Sequence, residues 1–199
     1  MKAWSVTSLE ELDRIPVAEG LEWRPIRRRF GIRSFGINAY TSSHVGGWVV
    51  EEHDEAGGHE EIYLVVSGRA TFTLDGEEVD APAGTAVFLP EGSVKRKAIA
   101  EEEGTTVLAI GAWPDKAFVP SAWEWVFEAY AATPEQGIAI LGEGRDELGD
   151  EPAFDYHLAC LEAKLGRLDE GRAHLARAIE ARPKWQARAD ADADLAPLR

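Results

Sequence analysis

Before residue 118 the chain is a succession of short β-forming runs, each closed by a turn signal, and that alternation leaves few folds open to it. The runs read "GWVV", "EIYLVV", "ATFTL", "TAVFLP" and "TTVLAIGAW", and between them lie Ser67-Gly68, Asp75-Gly76, Pro82-Ala83-Gly84 and Glu91-Gly92. "TFTLDGEEV" is a hairpin signal, because Asp75-Gly76 supplies the two positive-φ residues that a type I′ turn requires. Many short strands at this spacing predict an antiparallel sandwich or barrel. Ahead of them, "TSLEELDRI" is expected to be a short helix capped by Thr7 or Ser8. "EWRPIRRRFGIRSFGINAY" is expected to hold entry strands, with Arg27 and Arg29 sharing one face of an exposed edge.

After residue 118 the texture becomes helical and repeats at a period of 34. Ala132 meets Gly166, Gly137 meets Gly171, Leu141 meets Leu175 and Gly144 meets Ala178. Small residues at fixed offsets suit close helix-helix packing, and "YHLACLEAKLGRLDEGRAHLARAIEARP" resembles the tetratricopeptide repeat. Four helices in two antiparallel pairs are expected over 118–185. Thr133-Pro134 should start one of them, and Gly142, Gly144 and Gly149 should weaken it. Two repeats rarely stand alone, and Trp123 and Trp125 are expected to be exposed. The helical region is therefore expected to pair in a homodimer, to hold a protein partner, or to pack on the β region. His157 and His174 are expected in surface or cap roles, and "ADADADLAPLR" as a weak helix or tail. The domain boundaries read from this change of texture are 1–117 and 118–199.

Composition excludes several classes. With 199 residues, 45 % of them hydrophobic, the chain has material for one ordinary domain and an appendage. A formal charge of −15 argues against nucleic acid as a main partner. No apolar run approaches the ~18 residues of a membrane span, and the opening lacks the apolar stretch of a signal peptide. A lone Cys160 excludes an intrachain disulfide, fits a reducing cytoplasm and is expected to be buried and inert.

The chemistry-bearing stretch is "HDEAGGHEE", residues 53–61, with two histidines and four carboxylates within nine residues. Gly47, His53, Glu55, Glu61 and Gly68, followed by Gly84, Pro90, Gly92, Lys95 and Ile99, fall at spacings that resemble the two motifs of the cupin family. The family's first motif is G-x5-H-x-H-x(3,4)-E-x6-G and its second G-x5-P-x-G-x2-H-x3-N. The resemblance covers roughly residues 35–112. It implies a mainly β fold, an antiparallel jelly-roll β-barrel, here followed by a small all-α helical-repeat appendage. It also implies a pocket that commonly holds a metal on three histidines and a glutamate. Carried over, His53 keeps the first histidine and Glu61 the glutamate, while Glu55 and Lys95 stand where the other histidines belong. The link before Glu61 is one residue longer than the pattern. A protonated lysine does not ligate, so a three-histidine centre is excluded by residue identity.

Three arrangements remain for this stretch. In one, His53, His59 and Glu61, with Glu55, form a rearranged site for Zn, Ni, Mn or Fe; His59 and Glu61, two apart on a strand, would share a face. In the second, Lys95 supplies the positive charge, pairs with Glu61 or Glu55, and the pocket binds a small polar or anionic molecule beside His53, Tyr40 and Trp48. In the third, the run is a solvated acidic loop. Tyr40, Trp48, Tyr63, Phe72 and Phe88 are expected to be core or pocket wall. No nucleophile elbow or phosphate loop is present. The expected function is small-molecule binding, joined to a helical interaction or dimerisation element, with no reaction assigned and no confident cofactor. The alternative is a metal-dependent oxygenase or isomerase acting on a small polar substrate.

Overall fold

A computed structural model describes residues 5–55 and 58–199. Its contacts divide the chain into two compact units, residues 1–119 and 120–199. No helix among the described residues is long and apolar enough to cross a membrane.

Among its described residues the first unit carries ten strands: β1 (Ile15–Ala18), β2 (Leu21–Arg24), β3 (Gly36–Ser42), β4 (Trp48–His53), β5 (Glu60–Ser67), β6 (Arg69–Leu74), β7 (Glu77–Pro82), β8 (Ala86–Leu89), β9 (Arg96–Ala100) and β10 (Thr106–Ala112). They form a six-stranded sheet, in the order β1-β2-β3-β10-β5-β8, and a four-stranded sheet, in the order β4-β9-β6-β7. Every ladder is antiparallel. The expected barrel is thus two sheets rather than one closed ladder. Edge chemistry accounts for this: β7 carries Glu77, Glu78 and Asp80 and ends on Pro82, and charges with a missing N–H discourage further pairing.

The core lies between the sheets. Val49, Val50, Phe72, Ala98 and Ala100 come from the smaller sheet, and Tyr63, Val65, Val87, Leu89 and Val107 from the larger. Asp75 and Gly76 take φ of +48° and +91°, as the hairpin between β6 and β7 requires. Gly68, the closing glycine of the first motif, sits at φ +71°. A Cβ there would lie 2.4 Å from Thr105 Oγ1 and 2.8 Å from Thr105 Cα. Gly68→Ala should therefore lose at least the roughly 1–2 kcal/mol of left-handed backbone strain, with the Thr105 overlap added. Urea unfolding measures it, and an unchanged midpoint would refute the assignment of this turn.

Two entry expectations change. "TSLEELDRI" reduces to one 3-10 turn, Leu9–Glu11, closed by a capping box on Ser8. "IRRRF" is not a strand but a helix, α1 (Ile26–Phe30), entered at Pro25 and stopped by Gly31 at φ +65°. Arg27 is consequently not on an exposed edge. It is 3 % exposed, and Nη1 donates to the Ile32 carbonyl at 3.1 Å.

The second unit contains α2 (Trp123–Ala131), α3 (Pro134–Leu148), α4 (Pro152–Lys164), α5 (Leu168–Ala181) and α6 (Gln186–Ala191), followed by a 3-10 turn at Ala193–Leu198. Thr133 caps α3, with Pro134 in its first turn. The small residues of the 34-residue period serve close approach: a Cβ on Gly137 would lie 2.6 Å from the Ala129 carbonyl, and one on Gly144 2.7 Å from Phe154. Trp125 is not exposed but 1 % accessible, edge-on to Phe154 at 6.3 Å. The tail docks as well, with Leu195 and Leu198 buried against Tyr156, Ala159 and Cys160. Burial pushes the Cys160 thiol up to about 11. His157 is half-buried: its Nδ1 meets Tyr130 Oη at 3.1 Å, and burial pulls its pKa down to about 4. His174 lies between Asp155, 2.6 Å from Nδ1, and Glu162, 3.4 Å from Nε2.

Candidate functional site

Residues that face one another across a ladder present their side chains to the same side of the sheet. Ala109 on β10 stands between Asn38 on β3 and Tyr63 on β5, and Gly111 stands between Gly36 and Glu61. Tyr63 belongs to the core, and Ala109 packs on it. Asn38 and Glu61 therefore face inward. On the smaller sheet His53 is opposite Arg96, which shares its face with Ala98 and Ala100, both fully buried. One end of the sandwich thus gathers the starts of β3, β5 and β9 and the ends of β4 and β10.

At that end the two sheets are joined by an ion pair. Arg96 is fully buried, and its Nη2 lies 2.6 Å from Glu61 Oε2, whose side chain is 12 % exposed. Tyr63 Oη donates to the same carboxylate oxygen at 2.6 Å, and Arg96 Nε donates to Tyr63 Oη at 3.3 Å. Nη1 donates to the Gly92 carbonyl at 2.9 Å and to the Val94 carbonyl at 3.3 Å. Burial on its own would weaken the Arg96 proton, but the contacts with Tyr63 and Glu61 outweigh it and hold the pKa above the ordinary arginine value. Burial, and then the Glu61 charge, push Tyr63 well above the ordinary phenol range, so its hydroxyl stays a donor.

The expected site residues divide. Lys95 does not pair with Glu61 or Glu55. It is 61 % exposed, and its Nζ lies 2.5 Å from Glu52. A one-residue step along a strand reverses the face; Lys95 and Lys97 turn to Glu52 outside, and Arg96 turns in. Trp48 is likewise on the outer face, opposite Ile99, with Lys97 Nζ 5.9 Å from its ring centre. Phe88 is 56 % exposed rather than core. Tyr40, opposite Val107, shares the inward face. Glu55 is exposed, and its backbone N–H donates to Gly92 O at 2.8 Å. His53 Nδ1 contacts the Glu51 carbonyl at 2.7 Å. His59 is buried against Trp113, ring centres 4.6 Å apart, and lies over Gly111, where a Cβ would sit 2.6 Å from its ring. The acidic stretch also includes Ala56 and Gly57, which lie outside the described residues.

The metal arrangement does not fit this geometry. Among the described residues no three His, Cys, Asp or Glu side chains converge as a metal-holding group. Glu61, the one glutamate at its motif position, is already committed to Arg96 and Tyr63. His59 and His53 turn their Nδ1 atoms to different surroundings. Motif counting puts Lys95 at the ligand position, and Arg96 beside it was expected to be partly exposed; instead Arg96 is fully buried. The inward alternation Arg96, Ala98, Ala100, with small residues at two of three positions, was the signal that would have found it.

Residues 40–111 match the family model of the cupin domain. No curated protein matches the chain. Among solved structures the chain is similar to KdgF from Halomonas sp., at 20 % identity and TM-score 0.45, covering 55 % of this chain and 93 % of that one. It is also similar to a sugar phosphate isomerase of the cupin superfamily from Silicibacter pomeroyi, at 16 % identity and TM-score 0.48, covering 58 % and 77 %. A Streptomyces PAC13 variant with uridine is 18 % identical at TM-score 0.42, covering 56 % and 83 %. The matched residues include Tyr40, His53, His59, Glu61 and Arg96, while Asn38 and Trp113 lie just outside the match.

Proposed function

We propose that the cupin domain binds a small polar molecule at the inward end of its sandwich without a resident metal, and that the helical unit serves protein interaction or dimerisation. The observation that carries this is the ion pair of Arg96 with Glu61, backed by Tyr63. A buried guanidinium beside the glutamate supplies a fixed positive charge where the family's ligand set would supply a cation. Arg96 takes the role that sequence reading assigned to Lys95. The small residues at 34-residue spacing, close-packed in both helix pairs, support a tetratricopeptide-like origin for the helical unit, and a second copy or a partner protein is the occupant of its remaining surface.

Elemental analysis of the purified protein, followed by titration with Zn and Ni, tests the reading. Neither metal should be found in stoichiometric amount, and neither should bind at micromolar concentration. One equivalent of metal, lost on His53→Ala, would overturn it in favour of a metal-dependent enzyme.

A further inference from the structure

The outer face of the larger sheet is apolar where contact with water alone would favour polar side chains. Phe88, Ile62, Ile110 and Ile37 stand opposite one another across β8, β5, β10 and β3. Ala86, Leu64, Leu108 and Ala39 form the next row on the same four strands. Cross-strand partners share a face, and both rows alternate with Tyr63 and Val87, which belong to the core. Phe88 is 56 % exposed, and Val66, two residues beyond Leu64, is 39 % exposed. Ala86 is exposed as well, whereas Ile62, Leu64, Leu108 and Ile110 are half-buried. An antiparallel sheet with one face in water normally carries polar residues there. The smaller sheet largely does: its outer rows run Lys97, Thr73, Glu78 and Ile99, Thr71, Asp80. The two rows on the larger sheet hold no charged residue, in a chain that is 29 % charged.

We propose that this face is the contact between two copies of the chain, related by a two-fold axis. A second copy is the occupant that the chemistry selects. The rows offer no ion pair to a charged partner, whereas a two-fold contact sets one patch against itself. Two apolar sheet faces pack well in that way, about 10 Å apart. A formal charge of −15 makes copies repel one another elsewhere, so they meet where charge is missing. The area also suits a dimer. Four strands ~4.8 Å apart, with three alternate positions ~6.8 Å apart along them, give an apolar patch of roughly 400 Å². A monomer's largest apolar patch is typically about 300–600 Å². A polar rim ~5 Å deep on every side carries the footprint to roughly 850 Å² per copy, the size of a standard interface. Phe88 supplies the aromatic anchor. This interface lies on the β unit and does not rest on the metal-free reading of the site.

Sedimentation velocity of the full chain, from sub-micromolar to high micromolar concentration, tests the proposal. A monomer that passes reversibly to a dimer is expected, and added salt should tighten the dimer by screening the repulsion between acidic copies. Phe88→Asp should weaken association at least roughly ten-fold, because it buries a charge at an anchor position. Its melting temperature at high dilution, where parent and variant are both monomeric, should match the parent's. If Phe88→Asp melts early, Val66→Asp on the neighbouring strand replaces it and should weaken the dimer in the same way. The proposal falls if the parent stays monomeric at every concentration, since the face then belongs to a different partner. It falls if a dimer forms that a well-folded Phe88→Asp or Val66→Asp variant leaves intact, which would place the contact elsewhere, as on the helical unit. A dimer that added salt weakens also overturns it, because its contact would be held by charges.

Discussion

Replacing Arg96 with Met should lower the stability of the β unit by roughly 3–5 kcal/mol, the usual consequence of removing one partner from a buried ion pair. The side chains of Arg96 and Glu61 are 0 % and 12 % exposed, so water reaches the carboxylate only marginally. The substitution also strips the carbonyls of Gly92 and Val94 of their donor and leaves Glu61 with Tyr63 alone. Lys95→Met is the matched control. Lys95 lies outside the sheet with Glu52, and its removal should leave the melting curve where it was. Thermal or urea unfolding of the two variants separates the neighbouring cations. If the two variants melt alike, the inward placement of Arg96 is refuted, and the proposed function loses its main support.

The helical unit has its own charged hub. Asp155 on α4 accepts from Arg145 on α3 at 2.7 Å, from Arg177 on α5 at 3.1 Å, and lies 2.6 Å from His174 Nδ1. Its side chain is 12 % exposed. Burial would raise its carboxyl, but His174, Arg145 and Arg177 together outweigh burial and hold it below the ordinary aspartate value of 3.8. A depressed folded value means that the ionised carboxylate stabilises the folded unit. That contribution is complete above the unfolded value and is lost as pH falls through the folded one. Glu162 has the opposite sign: burial raises it, so it favours the folded unit in acid and opposes it once pH climbs past the raised value. Asp155→Asn should therefore cost about 3 kcal/mol near neutrality, the lower end for a broken buried pair because Arg177 is half exposed. It should also flatten the loss of stability below about pH 4. Melting curves of parent and variant between acid and neutral pH measure both effects, and parallel curves across that range would show that Asp155 is not the titrating hub.

Local information was enough for much of the fold. Asp75-Gly76 fixed a hairpin because a type I′ turn needs positive φ at both positions, and those two residues accept it. Gly68 was legible for the same reason, and Thr133-Pro134 because capping chemistry is local. The 34-residue spacing of Gly137 with Gly171 and Leu141 with Leu175 marked where helices come together. Propensity misled at Gly144, where a weak helix former is demanded by the rings of Phe154 and Trp125. It misled also at "IRRRF", where Pro25 and Gly31 bound a single helical turn that alternation had suggested as a strand.

The candidate site was less legible, because it depends on register. His53 and Glu61 were assigned from motif position and Tyr40 from its place in a strand, and all three lie on inward faces. Lys95 and Trp48 were assigned to the same place, yet irregularities in the β4–β9 ladder between Trp48 and Val50 and between Val50 and His53 set which residue faces which. A shift of one residue exchanges inside for outside, so Arg96 rather than its neighbour meets Glu61. Sequence alone thus determined the composition of this protein's parts: an antiparallel β unit with cupin spacing, a helical unit after it, and an acidic, histidine-bearing strand entry. Only the tertiary structure decided which charges are buried together, because a cross-sheet pair between Arg96 and Glu61 exists only once two ladders, each with its own register, are laid face to face.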